Sequence, residues 1–188
     1  GAPRLPVSVK TRVGYNKDIL DEWLPKILAA EPAAVTIHAR TRKDMSKVPA
    51  RWERVKRAVE IHNELGSVAL IIGNGDVRNI AEARTRVAET GADGVMIGRG
   101  IFGTPWLFDE AGEEKLKQMV WPSPSSSVVL EKKTGEGEPR TFAEAFPLEA
   151  SKLHIAVEHS KLFEELLGDI KNFAFMKKHF KAYAEGFP

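Results

Sequence analysis

With 188 residues, 43% of them hydrophobic and 29% charged, the chain has the make-up of one ordinary soluble globular domain, or of one domain and a small appendage. It contains no cysteine, which excludes disulfides, thiolate metal sites and a cysteine nucleophile or acid among these residues. No apolar run approaches the roughly 20 residues that span a bilayer, GAPRLPVSVK is not a secretory pattern, and a net charge of +2 is too small to argue for a nucleic-acid partner except through its distribution.

Pro6–Lys10 (PVSVK) is predicted as a short strand with Val7 and Val9 on one face and Ser8 and Lys10 on the other. Arg12 continues the Lys10 face if the extended geometry persists. Two cations leaving a strand end together either meet a phosphate, a carbonyl-rich ring or a carboxylate, or stand in water. Asp18–Ala30 carries Ile19, Leu20, Trp23, Leu24, Ile27 and Leu28, the spacing of one apolar helix stripe, with Pro25 expected to kink it or split off its first turn. Ala34–His38 (AVTIH) reads as the next strand. His38 is either a satisfied core group or a functional one, and Arg40, Arg42 and Lys43 directly after it give the sheet a cationic rim. Ala50–Leu65 is an amphipathic helix with Trp52, Val55, Val59 and Ile61 or His62 inward and Gly66 at its end.

Two apolar runs, Ala69–Gly73 and Gly94–Ile97, then flank a helix over roughly Asn79–Glu89 that Gly91 caps. Each run ends in a glycine-bearing turn, Gly73-Asn74-Gly75-Asp76 and Gly98-Arg99-Gly100. Strands alternating with helices read as βαβ units of a parallel sheet. Glycines just past a parallel strand let the backbone approach a ligand closely, with amides free for phosphate oxygens. In a (β/α)8 barrel the phosphate site lies at the loops after the last two strands. The alternative is a pair of tight turns with no ligand. Ile101–Phe108 is expected to form a short helix or turn.

From Glu110 the composition shifts. Trp121–Arg140 is rich in Ser, Pro, Gly and charge and reads as a linker or long excursion, and Ser123–Ser127 has no nucleophile context. Leu148–Leu167 and Ile170–Glu185 are two helical patterns separated by Gly168. The second places Phe173, Met176, Phe180 and Tyr183 on one stripe and carries Lys171, Lys177, Lys178 and Lys181, either a solvated face or a footprint for RNA phosphates. The five histidines, His38, His62, His154, His159 and His179, are scattered, and no metal site emerges.

In order and spacing, VSVKTRVG (Val7–Gly14), VTIHARTR (Val35–Arg42), IIGNGDV (Ile71–Val77) and TGADGVMIGRGIFGTPWLF (Thr90–Phe108) resemble the C-terminal part of the tRNA-dihydrouridine synthases. The closing KNFAFMKKHFKAYAEGFP (Lys171–Pro188) is similar to the end of that family's helical domain. The resemblance implies an α/β fold, the C-terminal half of a (β/α)8 TIM barrel over residues 1–110, then a linker or insertion over 111–146 and a small all-α, tRNA-binding helical domain over 147–188. It implies a flavoprotein that reduces uridine to dihydrouridine in tRNA, with FMN as cofactor and NADPH or NADH as electron donor. By resemblance Lys10 contacts FMN and the target uracil, His38 hydrogen-bonds the flavin, and Asn74, Gly75, Asp76, Gly98 and Arg99 hold the ribityl chain and phosphate. Arg12 is placed for the uracil, and Arg40, Arg42, Lys43, Lys177 and Lys178 are the cations expected to meet tRNA.

The chain departs from the family pattern in two respects. The family's proton donor is a cysteine, absent here, and a barrel closes with eight strands where four are predicted. The chain is therefore expected to be the C-terminal portion of a cytoplasmic synthase, inactive alone, which meets either a missing N-terminal half-barrel or a second copy of itself. Two other readings stay open. One is a different FMN-dependent TIM-barrel oxidoreductase acting on a metabolite, and the other a non-catalytic RNA-binding or interaction protein.

Overall fold

A computed structural model describes residues 5–109, 111–118, 129–130, 140–141 and 146–187. Extended, alternating SVKTR, AVTIH and LIIGN form β1 (Ser8–Arg12), β2 (Ala34–His38) and β3 (Leu70–Asn74), and GVM forms β4 (Gly94–Met96). The strands are parallel and lie in sequential order β1-β2-β3-β4. Parallel neighbours require crossovers, which the helices supply: α1 (Leu20–Leu28), α2 (Trp52–Glu64) and α3 (Ile80–Thr90). With every crossover advancing one strand in the same direction, the fixed hand of such connections keeps the helices on one face.

Residue alternation decides what each face holds. Val35, Ile37 and Ile71 join Leu20, Leu24 and Leu28 of α1 and Ala58 and Ile61 of α2 in one core, and Trp52, Val55 and Val77 build a second with Val95 and Ala83 beside them. The other face carries Lys10, Thr36 and Ile72 in one register row and Arg12, His38, Asn74 and Met96 in the next. Leu70 and Met96 are exposed there.

Helix termini follow local chemistry. Asn79 caps α3 by accepting the Glu82 N–H at 2.8 Å, and Gly91 ends the helix at φ 74°. Gly66 follows α2 at φ 59°. In α1 the chain stays helical through Pro25 instead of splitting there. A proline removes only its own N–H from the ladder, and Leu24 and Leu28, both buried, hold the flanking turns on the core.

The chain divides between Gly100 and Ile101 into two compact units, ten residues before the boundary expected from composition. The second unit includes α4 (Gly112–Gln118), which the sequence pattern missed, packed on α5 (Pro147–Leu167) with Ser151 Oγ donating to the Leu116 carbonyl at 2.7 Å. The expected linker therefore holds a helix and also a two-stranded antiparallel pair, β5 (Val129–Leu130) with β6 (Arg140–Thr141). Ser123–Ser127 lies outside the described residues. The predicted single helix Ile170–Glu185 is instead a 3-10 turn, Phe173–Met176, followed by α6 (Lys177–Tyr183). Asn172 accounts for the break, since its side chain accepts the Ala174 N–H at 2.8 Å and starts the chain afresh. Of the predicted stripe, Met176 and Tyr183 are buried, while Phe173 and Phe180 remain exposed. No described helix is long and apolar enough to cross a membrane.

Candidate functional site

Strand alternation and register bring the chemistry to the C-terminal ends of the four strands. Lys10 leaves β1 on the open face and donates from Nζ to Asn74 Oδ1 at 3.1 Å, two strands away. Asn74 in turn donates from Nδ2 to the Met96 carbonyl at 2.7 Å, so one amide ties β1 to β4 across the ends of the sheet. Arg12 donates to the Thr41 carbonyl at 3.0 Å. Burial, then the neighbouring Arg12 charge, holds the Lys10 pKa below its ordinary value.

His38 sits between these groups. Its Nδ1 is buried and has no hydrogen-bond partner in the protein. Burial, followed by the Arg12, Lys10 and Arg40 charges, pushes its pKa down to about 4, with Asp76 opposing weakly. The ring is thus neutral at pH 7, with one nitrogen aimed at nothing the protein supplies. An unpaired buried polar group costs roughly 1–3 kcal/mol, and its retention requires an explanation.

The turn after β3 is fixed by sterics. A Cβ on Gly73 would stand 2.3 Å from the Trp52 ring, and one on Gly75, at φ 133°, would stand 2.8 Å from Ala50 Cβ. Trp52 Nε1 donates to the Gly75 carbonyl at 3.0 Å, and the Arg86 guanidinium lies 5.4 Å from the Trp52 ring centre. Asp76 follows at φ 55°, a left-handed conformation that glycine, asparagine and aspartate adopt more often than other residues. A Cβ on Gly98 would meet nothing within 4 Å, so the backbone there is open to close approach. Arg99 is exposed and reaches Asp76 Oδ1 at 3.6 Å, which links the turns after β3 and β4.

Lys10, Arg12, His38, Asn74, Gly75, Asp76, Gly98 and Arg99 all lie in the first unit, at the ends of β1 to β4. Arg40 does not behave as expected. Instead of projecting from the rim toward substrate, it is 3% exposed and bound by two nitrogens to the Asp76 carboxylate. Arg42 and Lys43 are exposed on the loop after β2. Lys177 and Lys178 lie in the second unit, exposed at the start of α6, with Lys178 Nζ 4.9 Å from the Phe102 ring centre. Sequence reading missed Thr41 and Asp44, which brace the loop by reciprocal bonds: Thr41 N–H to Asp44 Oδ2 at 2.9 Å and Asp44 N–H to Thr41 Oγ1 at 3.1 Å. The T-x-x-D spacing is the available signal. Among the described residues no group of three or more His, Asp or Glu is placed to hold a metal ion.

Comparisons with known proteins agree with one another. The model of the dihydrouridine synthase family matches residues 1–188. A probable tRNA-dihydrouridine synthase of Staphylococcus aureus strain Mu50 is 32% identical over 183 residues, covering 97% of this chain and 46% of the relative. The probable tRNA-dihydrouridine synthase 2 of Bacillus subtilis is 42% identical over 111 residues, 58% of this chain and 34% of the relative. A probable tRNA-dihydrouridine synthase of Staphylococcus epidermidis is 40% identical over 118 residues, 62% of this chain and 36% of the relative. The chain spans about half the length, or less, of these curated relatives.

Proposed function

Because the chain belongs to the dihydrouridine synthase family, we propose that it forms the flavin-gripping and tRNA-facing portion of an oxidoreductase that reduces uridine to 5,6-dihydrouridine in tRNA. The carrying observation is His38 Nδ1, a buried nitrogen without a partner among cations and glycine turns. That arrangement fits FMN: an aromatic, hydrogen-bonding ring for His38 and a phosphate for the exposed Arg99 beside open Gly98.

Bound there, FMN would supply the hydride, with NADPH or NADH as the external reductant. The chain's own residues hold and polarise. Lys10, kept in place by Asn74 Oδ1, puts a positive charge over the sheet end where negative charge develops on reduction. His38 stays neutral at physiological pH and can share a hydrogen bond through Nδ1 without adding a fourth cation to Lys10, Arg12 and Arg40. Arg99 and the amides of the Gly98 turn neutralise the phosphate, and Arg12 orients the base. Arg42 and Lys43, with Lys177 and Lys178 of the second unit, supply phosphate contacts for the RNA. With no cysteine in the chain, a thiol that protonates the base comes from elsewhere in the protein.

The same reading makes the first unit half of a TIM barrel. Sequential parallel strands with helices on one face are the repeating unit of that fold, and eight strands close it. Further strands would cover the face that now exposes Leu70 and Met96 and shut water away from Lys10.

Titration with FMN tests the reading. Flavin fluorescence is expected to change on binding, and Lys10→Ala and Arg99→Ala each to weaken binding at least tenfold. A folded chain whose FMN affinity is indifferent to both substitutions would contradict it.

A further inference from the structure

An ion pair between buried Arg40 and solvent-facing Asp76 stands where the sequence placed a substrate contact. Arg40 donates from Nε to the Val48 carbonyl at 2.6 Å, from one terminal nitrogen to Asp76 Oδ1 at 2.8 Å, and from the other to Asp76 Oδ2. Asp76 Oδ2 also accepts the Ala50 N–H at 2.8 Å. The turn after β3 is thereby fastened to the 48–52 segment through its carboxylate, and again through the Trp52 bond to the Gly75 carbonyl. Gly75 and Asp76 both have positive φ, which glycine adopts freely and aspartate more readily than most residues, and these ties hold the turn in that form. Arg99, the exposed cation of the neighbouring turn, rests on the same carboxylate at 3.6 Å.

We infer that Arg40 and Asp76 are a positioning pair: they set the shape of the two glycine turns and the place of Arg99, and through them the retention of a phosphate monoester, while Arg40 itself touches neither flavin nor RNA. The inference rests on the flavin reading above. Its content is a matter of sign. A carboxylate at the mouth of an anion site opposes the anion, so if Asp76 acted only through charge, Asp76→Asn would tighten phosphate binding. A positioning Asp76 gives the opposite result, because a neutral amide cannot take both arms of the Arg40 fork and the Ala50 N–H together. Asparagine tolerates a left-handed backbone, so this substitution removes the bonds without adding strain. Arg40→Lys keeps the charge and loses the fork.

The experiment compares FMN with riboflavin, which lacks the phosphate, by fluorescence titration of the unsubstituted chain, Asp76→Asn and Arg40→Lys. Circular dichroism verifies that each is folded at the working temperature. Both substitutions are expected to weaken FMN at least tenfold and riboflavin less than threefold. FMN binding by Asp76→Asn that is unchanged or tighter would overturn the inference. Equal weakening of FMN and riboflavin would reduce the pair to general support and overturn it too. Loss of tRNA retention on a filter by Arg40→Lys with FMN affinity intact would return Arg40 to an RNA contact. A folded, unsubstituted chain that binds neither flavin sinks the reading of the site itself, a failure separate from the others.

Discussion

Helices α1 and α5 use apolar residues in opposite ways. The nine residues of α1 bury Leu20, Leu24 and Leu28, whereas the twenty-one of α5 bury only Ala150, Ser151 and Ala156. Leu153, Val157, Leu162 and Leu166 of α5 are exposed. The difference lies beneath each helix. A four-stranded sheet offers α1 a broad apolar floor of Val35, Ile37 and Ile71, while α5 packs on short helical segments, with isolated ring contacts such as Phe163 on Phe173 and His159 on Tyr183, and buries few of its own residues. An amphipathic stripe establishes a helix, and the layer under it determines how much of the stripe is covered.

The comparison breaks or sharpens on measured stabilities. Trp52→Ala removes a ring that fills the space above Gly73 and ties down Gly75, and is expected to cost about 3–5 kcal/mol in urea unfolding. A cost near zero would show that the first unit is not held by its core. Next comes pH. The folded His38 pKa is about 4 and the unfolded value about 6.5, so the unfolded chain takes up the proton first. Stability therefore falls as pH drops from about 6.5 to 4, and His38→Gln is expected to flatten the dependence of the urea midpoint between pH 7 and pH 5. A residual slope should persist, because burial, then His159 and Lys178, lower the His179 pKa in the second unit. An identical slope in the variant would remove His38 from the account. Asn79→Ala, which strips the cap from α3, is expected to cost about 1 kcal/mol. Leu166→Ala on the exposed face of α5 should stay within about 0.5 kcal/mol. A loss comparable to that of Trp52→Ala would mean that α5 is covered after all.

The first unit was largely legible in the sequence, because its elements repeat a short grammar. AVTIH was read to the residue, and the strands around it shifted by one or two positions, since period-two alternation locates a strand better than its ends. The glycine turn after β3 was legible because only glycine fits beside Trp52 and Ala50. Arg40 was not. A run of cations looks like a rim in sequence, and only the fold shows that Asp76, thirty-six residues later, turns one of them inward. In the second unit α4 escaped notice because GEEKLKQ buries just Gly112 and Leu116, too little to mark a stripe. The break before α6 hid in Asn172, whose capping role competes with an otherwise helical pattern.

The central claim, that the unpartnered His38 nitrogen receives the flavin, is tested most directly by NMR of 15N-histidine-labelled chain during addition of FMN. The His38 Nδ1 resonance is expected to move on binding while its ring stays neutral at pH 7, and His38→Gln to identify the signal by its loss. FMN that binds, by fluorescence, without moving His38 Nδ1 would place the flavin elsewhere and contradict the account.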